Sequence, residues 1–217
     1  MRYLLIFLSF TVLASCIKNS QNCPRYFELP AQVTPYSETY NVGDTITISS
    51  KFHKEVYDKN TQEYYDVTGV EWGMGTGIHR IDTMLNIQYY TQEYFSFAAD
   101  SDYDYSWSYF SSGASYLAGE FNFQNDSFDL EIKLIAMHPG IFHMVHTSTL
   151  VDINNDQDFE GKCRLTGFEG HTKMNEGRDN NIHLMAESPE PHYREWILEK
   201  PEERFHKEGG YCFRVVE

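Results

Sequence analysis

Nine histidines, a run of alternating acids, a glycine run and an aromatic stretch are the residues whose types could do chemistry in this 217-residue chain. His143 and His146 stand three apart in a segment that reads as a strand. Three steps along a strand put two side chains on opposite faces, which argues against a shared metal. No H-E-x-x-H pair is present. Gly73-Met74-Gly75-Thr76-Gly77 invites a phosphate-cradling reading, but the fingerprint needs G-x-G-x-x-G and then a helix. Here His79-Arg80-Ile81-Asp82 follows, so the glycines read as a strand bulge or a close backbone approach. Gly113-Ala114-Ser115-Tyr116-Leu117 lacks the second glycine of a nucleophile elbow. No catalytic residue and no cofactor survives these spacing tests, and the chain is not expected to be an enzyme.

Asp152, Asn154, Asp156, Asp158 and Glu160 alternate like a calcium loop. Counting from Asp152, Gln157 and Cys163 occupy the places that an EF-hand reserves for Gly and Glu, so that motif is broken. Two readings stay open: a looser calcium site through Asp152, Asn154 and Asp156, or a solvated acidic loop. Asp100, Asp102 and Asp104 pose the same choice. The aromatic stretch is the best binding candidate. Tyr103, Tyr105, Trp107 and Tyr109 fall on one face of a strand, with Ser and Asp between them. Flat rings with nearby carboxylates suit a glycan. The same rings would equally serve to pack on a second sheet.

The elements that must position these residues are mostly strands. Thr45–Phe52 alternates, with Ile46, Ile48 and Phe52 on one side and Thr45, Thr47, Ser49 and Lys51 on the other. Val70, Trp72 and Met74 share a face, as do Leu130, Ile132 and Leu134 within Phe128–Ala136. Further strands are expected at Ile141–Leu150 and Tyr211–Val216, and one or two in Met84–Phe97. Pro30 and Pro35 interrupt the first alternating stretch and mark it as an edge strand. Helix signals are confined to the C-terminal part. Asn180–Glu187 could form a turn, and Glu199–His206 carries Pro201 in its first turn with Gly209 beyond its end. Many short strands at turn spacing point to a mainly β fold, a single immunoglobulin-like antiparallel β-sandwich with one or two short C-terminal helical turns.

Composition bounds the partners. Acidic residues number 32 against 17 basic, a net charge of −15, which disfavours nucleic acid and anionic headgroups. An apolar fraction of 41% with 15 Phe and 16 Tyr supports a real core.

The N-terminus addresses the chain. Met1-Arg2 is followed by an apolar run, Tyr3–Val12, too short to span a bilayer, and then by Leu13-Ala14-Ser15-Cys16. This resembles the lipobox of bacterial lipoproteins, which implies cleavage before Cys16 and lipidation of its thiol. Residues 1–15 are then the signal, 16–26 a polar tether and 27–217 the β-sandwich domain. Ile17, not Asp, stands after the Cys, which in that family implies the outer membrane. The body, rich in Tyr, Asn and Asp, resembles the small envelope lipoproteins of Bacteroidetes. In that group surface export goes with an acidic cluster after the Cys, and the tether here has none, which favours the periplasmic face. The same resemblance would place O-glycans at Thr45 and Thr83, in Asp44-Thr45-Ile46 and Asp82-Thr83-Met84. The function expected is an envelope interaction module held to the membrane by its lipid, with a protein partner, or alternatively a surface glycan-binding accessory protein.

With Cys16 assigned to lipid, Cys23, Cys163 and Cys212 remain. An oxidising compartment allows one pair. Cys163–Cys212 is the pairing expected from their C-terminal strand contexts, and closing that loop of about 50 residues would stabilise by roughly 4 kcal/mol. Pairing through Cys23, or three reduced thiols, are the alternatives.

Overall fold

The computed structural model describes residues 23–84, 91–98, 102–110, 114–150, 157–159 and 163–217. Its strands are β1 Tyr26–Thr34, β2 Thr39–Asn41, β3 Thr45–His53, β4 Glu55–Asp58, β5 Glu63–Asp66, β6 Trp72–Arg80, β7 Phe95–Ala98, β8 Tyr105–Tyr109, β9 Ser115–Glu120, β10 Asn122–Gln124, β11 Ser127–Ala136, β12 Gly140–Leu150, β13 Gln157–Phe159, β14 Cys163–Thr166, β15 Glu169–Met174 and β16 Gly210–Val216. Sheet one runs β10–β11–β3–β1–β4–β5, with β15 also on β1 and β7 also on β11; sheet two runs β2–β16–β12–β6–β9–β8. The two layers form the expected mainly β, immunoglobulin-like sandwich. It is antiparallel except where β15 joins β1 and β2 joins β16.

Alternation explains the layers. Along β3 and β11 every second residue is buried, and Ile46, Ile48, Leu130, Ile132 and Leu134 meet Met74, Leu117, Phe142, Met144 and Phe213 of sheet two. A second cluster of Phe27, Leu29, Tyr65, Trp72, Phe159 and Phe168 fills the end of the sandwich nearest the N-terminus. A third lies outside sheet two, where Ile81, Ile141 and Cys212 are covered by Leu184, Met185, Tyr193, Ile197 and Phe205 of the C-terminal turns. Those turns are a 3-10 segment, Ile182–Glu187, and two π-helical segments, His192–Ile197 and Glu202–His206, the last preceded by Pro201.

The edge-strand expectation for the first strand is corrected. β1 has β3 and β4 on one side and β15 on the other. Pro30 is tolerated inside it because N–H and C=O of one strand residue point the same way. The Pro30 carbonyl accepts from the Ser50 hydroxyl, so its missing N–H falls in the gap between the β3 and β4 pairings. Nearby, the fully buried Asp58 carboxylate accepts the N–H groups of Arg25, Tyr26 and Thr61 and ties the start of β1 to the β4–β5 turn.

β15 closes the seam between the sheets. β16 accompanies β12 only from Gly140 to Val145. Beyond that, the Ser148 N–H donates to Thr172 Oγ1 at 2.8 Å. Gly170 passes so close that a Cβ there would stand 2.9 Å from the Trp72 ring and 3.0 Å from the Ser148 carbonyl oxygen. Gly209, at φ +65°, lets the chain turn away: a Cβ would sit 2.1 Å from the His146 carbonyl oxygen. Three left-handed asparagines lock the segment that follows β15. Asn175 Oδ1 accepts from Val33 N, Asn175 Nδ2 donates to Asn180 Oδ1, and Asn181 Nδ2 donates to the Cys212 carbonyl. Asn tolerates this conformation because its short amide bonds locally.

The expected Cys163–Cys212 pairing is also corrected: the disulfide joins Cys23 to Cys163, 140 residues apart in sequence. Cys163 lies in the β13–β14 hairpin beside the start of β1, whereas Cys212 is a buried thiol under the C-terminal turns. Burial pushes that thiol's pKa well above its ordinary value. Non-reducing peptide mapping should recover Cys23 linked to Cys163, with Cys212 open to maleimide only after denaturation. Cys23→Ser should lower stability by about 5 kcal/mol if the closed loop acts through chain entropy. Recovery of a Cys212 cross-link would overturn this connectivity.

Candidate functional site

The glycine run of β6 is not a bulge. β6 pairs without a register break to β12 from Trp72 to Arg80. Trp72, Met74, Thr76 and Ile78 are its buried, core-side residues, so Gly73, Gly75, Gly77 and His79 occupy the outer face. The structure thus corrects the strand bulge expected of these glycines, and at Gly75 and Gly77 no close backbone approach is seen either: they are one outward row. The consequence is a trough of about 990 Å³ on the outside of sheet two. Its floor follows Gly73, Gly75 and Gly77 with Ala118 beside them, and from Gly73 to His79 it is roughly 20 Å long.

One wall carries Tyr116 and Phe110, their ring centroids 5.2 Å apart. The facing wall comes from β15 and the turn before β16, through Gly170, His171, Lys207 and Glu208. Exposed carboxylates line both rims, Asp104 and Glu120 on one, with Glu120 opposite Gly73, and Glu169 and Glu208 on the other. The His171 ring stacks on Tyr26 at 4.2 Å and meets Glu169 at 3.1 Å. Lys207 lies over the Tyr26 ring, 5.8 Å from its centroid.

The other end of the trough belongs to His79. Its Nε2 lies 3.6 Å from where a Cβ on Gly77 would stand, and the ring makes no hydrogen bond among the described residues. Burial, then the neighbouring His192, lowers its pKa. His143 is its cross-strand neighbour, with ring centroids 6.4 Å apart. It stacks on Phe205 at 5.5 Å and meets the edge of Tyr193 at 5.9 Å. Neither His143 nitrogen has a hydrogen-bond partner among the described residues, and burial pulls its pKa down to about 3, with His79 and His192 adding to the shift. His146 faces the sandwich interior instead, as its spacing from His143 requires. Its Nδ1 shares a hydrogen bond with Thr76 Oγ1 at 2.7 Å, Nε2 has no partner among the described residues, and burial lowers its pKa to about 4.

The aromatic stretch is placed differently from a docking platform. Tyr103, Tyr105 and Trp107 turn inward and pack on the main core. The Tyr103 hydroxyl donates to Asp129 at 2.7 Å and the Tyr105 hydroxyl to the Glu131 carbonyl, while Tyr109 stays 61% exposed. Thr45 is exposed at the start of β3, and Thr83 is half-buried after β6. Cys16, and the calcium candidates Asp152, Asn154 and Asp156, lie outside the described residues. Among the described residues no group of three or more His, Cys, Asp or Glu is arranged to hold a metal ion, and no helix is long and apolar enough to cross a membrane.

No protein-family model and no curated protein sequence matches the chain. Among solved structures it is similar to the human F-spondin reeler domain, at 11% identity over 70% of this chain and 98% of that one, with a TM-score of 0.32. It is also similar to a type II cohesin dyad from the adaptor ScaA scaffoldin of Acetivibrio cellulolyticus, at 8% identity over 67% of this chain and 46% of that one, with a TM-score of 0.32. A type II cohesin domain from the cellulosome of the same organism gives 8% identity over 66% of this chain and 91% of that one, with a TM-score of 0.30. Values this low assign neither a family nor a partner.

The two buried imidazoles make the fold acid-sensitive. Their folded pKa values lie below the ordinary 6.5, so between pH 6.5 and about 4 the unfolded chain binds protons that the folded chain refuses. Their stability contribution is therefore complete above pH 6.5 and is lost on acidification, with a slope approaching about 1.4 kcal/mol per pH unit for each ring. Urea unfolding at pH 8 to 5 checks this. His143→Phe keeps an aromatic ring between Phe205 and Tyr193 and should remove one ring's share of the slope. An unchanged slope in the variant would defeat the assignment.

Proposed function

We propose that this chain is a lipid-anchored, non-enzymatic binding module of the bacterial outer membrane that offers the trough of sheet two to an envelope protein partner. The trough carries this reading: a continuous floor without side chains, walled by aromatics and rimmed by charge, is a surface for contact. Hydrolytic chemistry finds little support beside it. Among the described residues the hydroxyl–imidazole hydrogen bond is Thr76–His146, and it is sealed in the core. A glycan reading is supported less, since Tyr105 and Trp107 are turned to the core.

The anchor rests on the lipobox, Leu13-Ala14-Ser15-Cys16, and the periplasmic orientation on the tether without acids that follows it. The disulfide at Cys23 would leave seven residues of chain between lipid and domain, at most about 25 Å when extended. Metabolic labelling with a fatty acid should mark the parent chain and not Cys16→Ser, which should leave the membrane fraction. Protease added to intact cells should spare the domain until lysis. Labelling that persists in Cys16→Ser would sink the anchor, and digestion on intact cells would place the domain on the cell surface.

A further inference from the structure

Resting on the binding-module reading, we infer that the trough takes an extended, basic peptide segment of its protein partner. The floor is the first observation. Gly73, Gly75 and Gly77 leave a strip roughly 13 Å long, the span of about four extended residues, before the His79 ring. A strip without side chains of its own, bordered by Thr147 on one side and Tyr116 on the other, admits the side-chain stems of a peptide lying along β6. Charge is the second. Asp104 and Glu120 on one rim face Glu169 and Glu208 on the other, on a chain of net charge −15. Among the described residues Lys207 is the one Lys or Arg of this lining, and it lies over Tyr26. Four carboxylates around an apolar floor suit Lys or Arg side chains, whose methylene stems cover apolar surface while their heads reach the rim. The third observation is at the far end. His79 points Nε2 over Gly77 with no hydrogen-bond partner among the described residues, beside the tilted Phe110–Tyr116 pair. A neutral imidazole there bonds a peptide N–H or C=O as its tautomer allows.

The test uses the purified full chain and labelled peptides read by fluorescence anisotropy in 0.15 M salt. The probe is an octapeptide of alternating Lys and Ala. The comparators are its Glu–Ala counterpart, spermine and cellohexaose. Saturable binding of the Lys–Ala peptide alone is expected. Gly75→Leu should weaken it at least tenfold by filling the floor. A Cβ at Gly75 meets Thr147 and Tyr116 at 3.4 Å, an ordinary contact, and an unchanged urea midpoint in Gly75→Leu is the check that the rest of the leucine leaves the strand folded. Asp104→Lys combined with Glu120→Lys should weaken it similarly with no change at the floor, whereas Glu202→Lys on the C-terminal turns should leave it intact. Equal loss in Glu202→Lys would mean general charge attraction and overturn the site. Tighter binding of spermine or cellohexaose, or binding unchanged by Gly75→Leu, would overturn the peptide. Cross-linking of the same named envelope protein by parent and Gly75→Leu chains would keep the binding module and reject the trough.

Discussion

The backbone of β12 past Val145 has to find partners, and most of the functional face follows from how it does so. β16 leaves at Gly209, where only a glycine clears the His146 carbonyl. The edge that it abandons would otherwise carry buried, unpaired amide groups, each costing on the order of 1–3 kcal/mol. β15 supplies the remedy through Thr172, which accepts the Ser148 N–H and donates to the Ser148 hydroxyl, while its own backbone pairs with β1 of the opposite sheet. The strand that satisfies this seam is also the strand that raises the trough's second wall. Glu169, His171, Lys207 and Glu208 stand where they do because β15 and the turn before β16 meet there, bridged at Thr172 and Glu208.

Strand register then divides the histidines. His143 and His146 are three apart on β12, so one faces the C-terminal turns and the other the core. Neither burial is fully compensated by hydrogen bonds among the described residues. The cost is accepted in two different settings. His146 keeps one bond to Thr76. His143 is held by ring contacts with Phe205 and Tyr193 and by proximity to His79. That proximity couples the C-terminal turns to the trough: the turns cover His143, and His143 flanks the ring that ends the floor.

Period-two patterning made much of this architecture legible. β3 and β11 alternate in the sequence and lie where the alternation puts them, and β12 covers the strand expected at Ile141–Leu150. Of the C-terminal turns, Glu202–His206 is announced by Pro201 and Gly209, whereas His192–Ile197 carries no such signal. What stayed hidden depends on contacts distant in sequence. The place of β1 inside a sheet is decided by β15, more than 140 positions away, and by the gap that excuses Pro30. The Cys23–Cys163 bond is decided by the same neighbourhood. The Tyr–Trp stretch has correct strand spacing, but spacing alone does not say which face turns inward. The glycine row was readable in principle, since glycines two apart on a strand share a face. It was obscured because a glycine-rich run is ordinarily a sign of irregular backbone, and here the backbone is regular.

A floor of glycine has a thermodynamic meaning. Glycine weakens a strand, by roughly 0.5–1 kcal/mol per residue relative to alanine. Gly75 and Gly77 are not forced by sterics, because a Cβ at either would make only ordinary contacts. Their stability cost is therefore not offset by packing within the chain, unlike that of Gly170 and Gly209, which close approach requires. Residues that weaken a strand without serving its packing are most simply explained by what they leave open. Exposed ion pairs contribute at most about 1 kcal/mol each, so the rim carboxylates by themselves would hold a cationic occupant weakly. A flat floor supplies what they lack: it lets the stem of the occupant shed water along the strip while the rims fix its charge and direction.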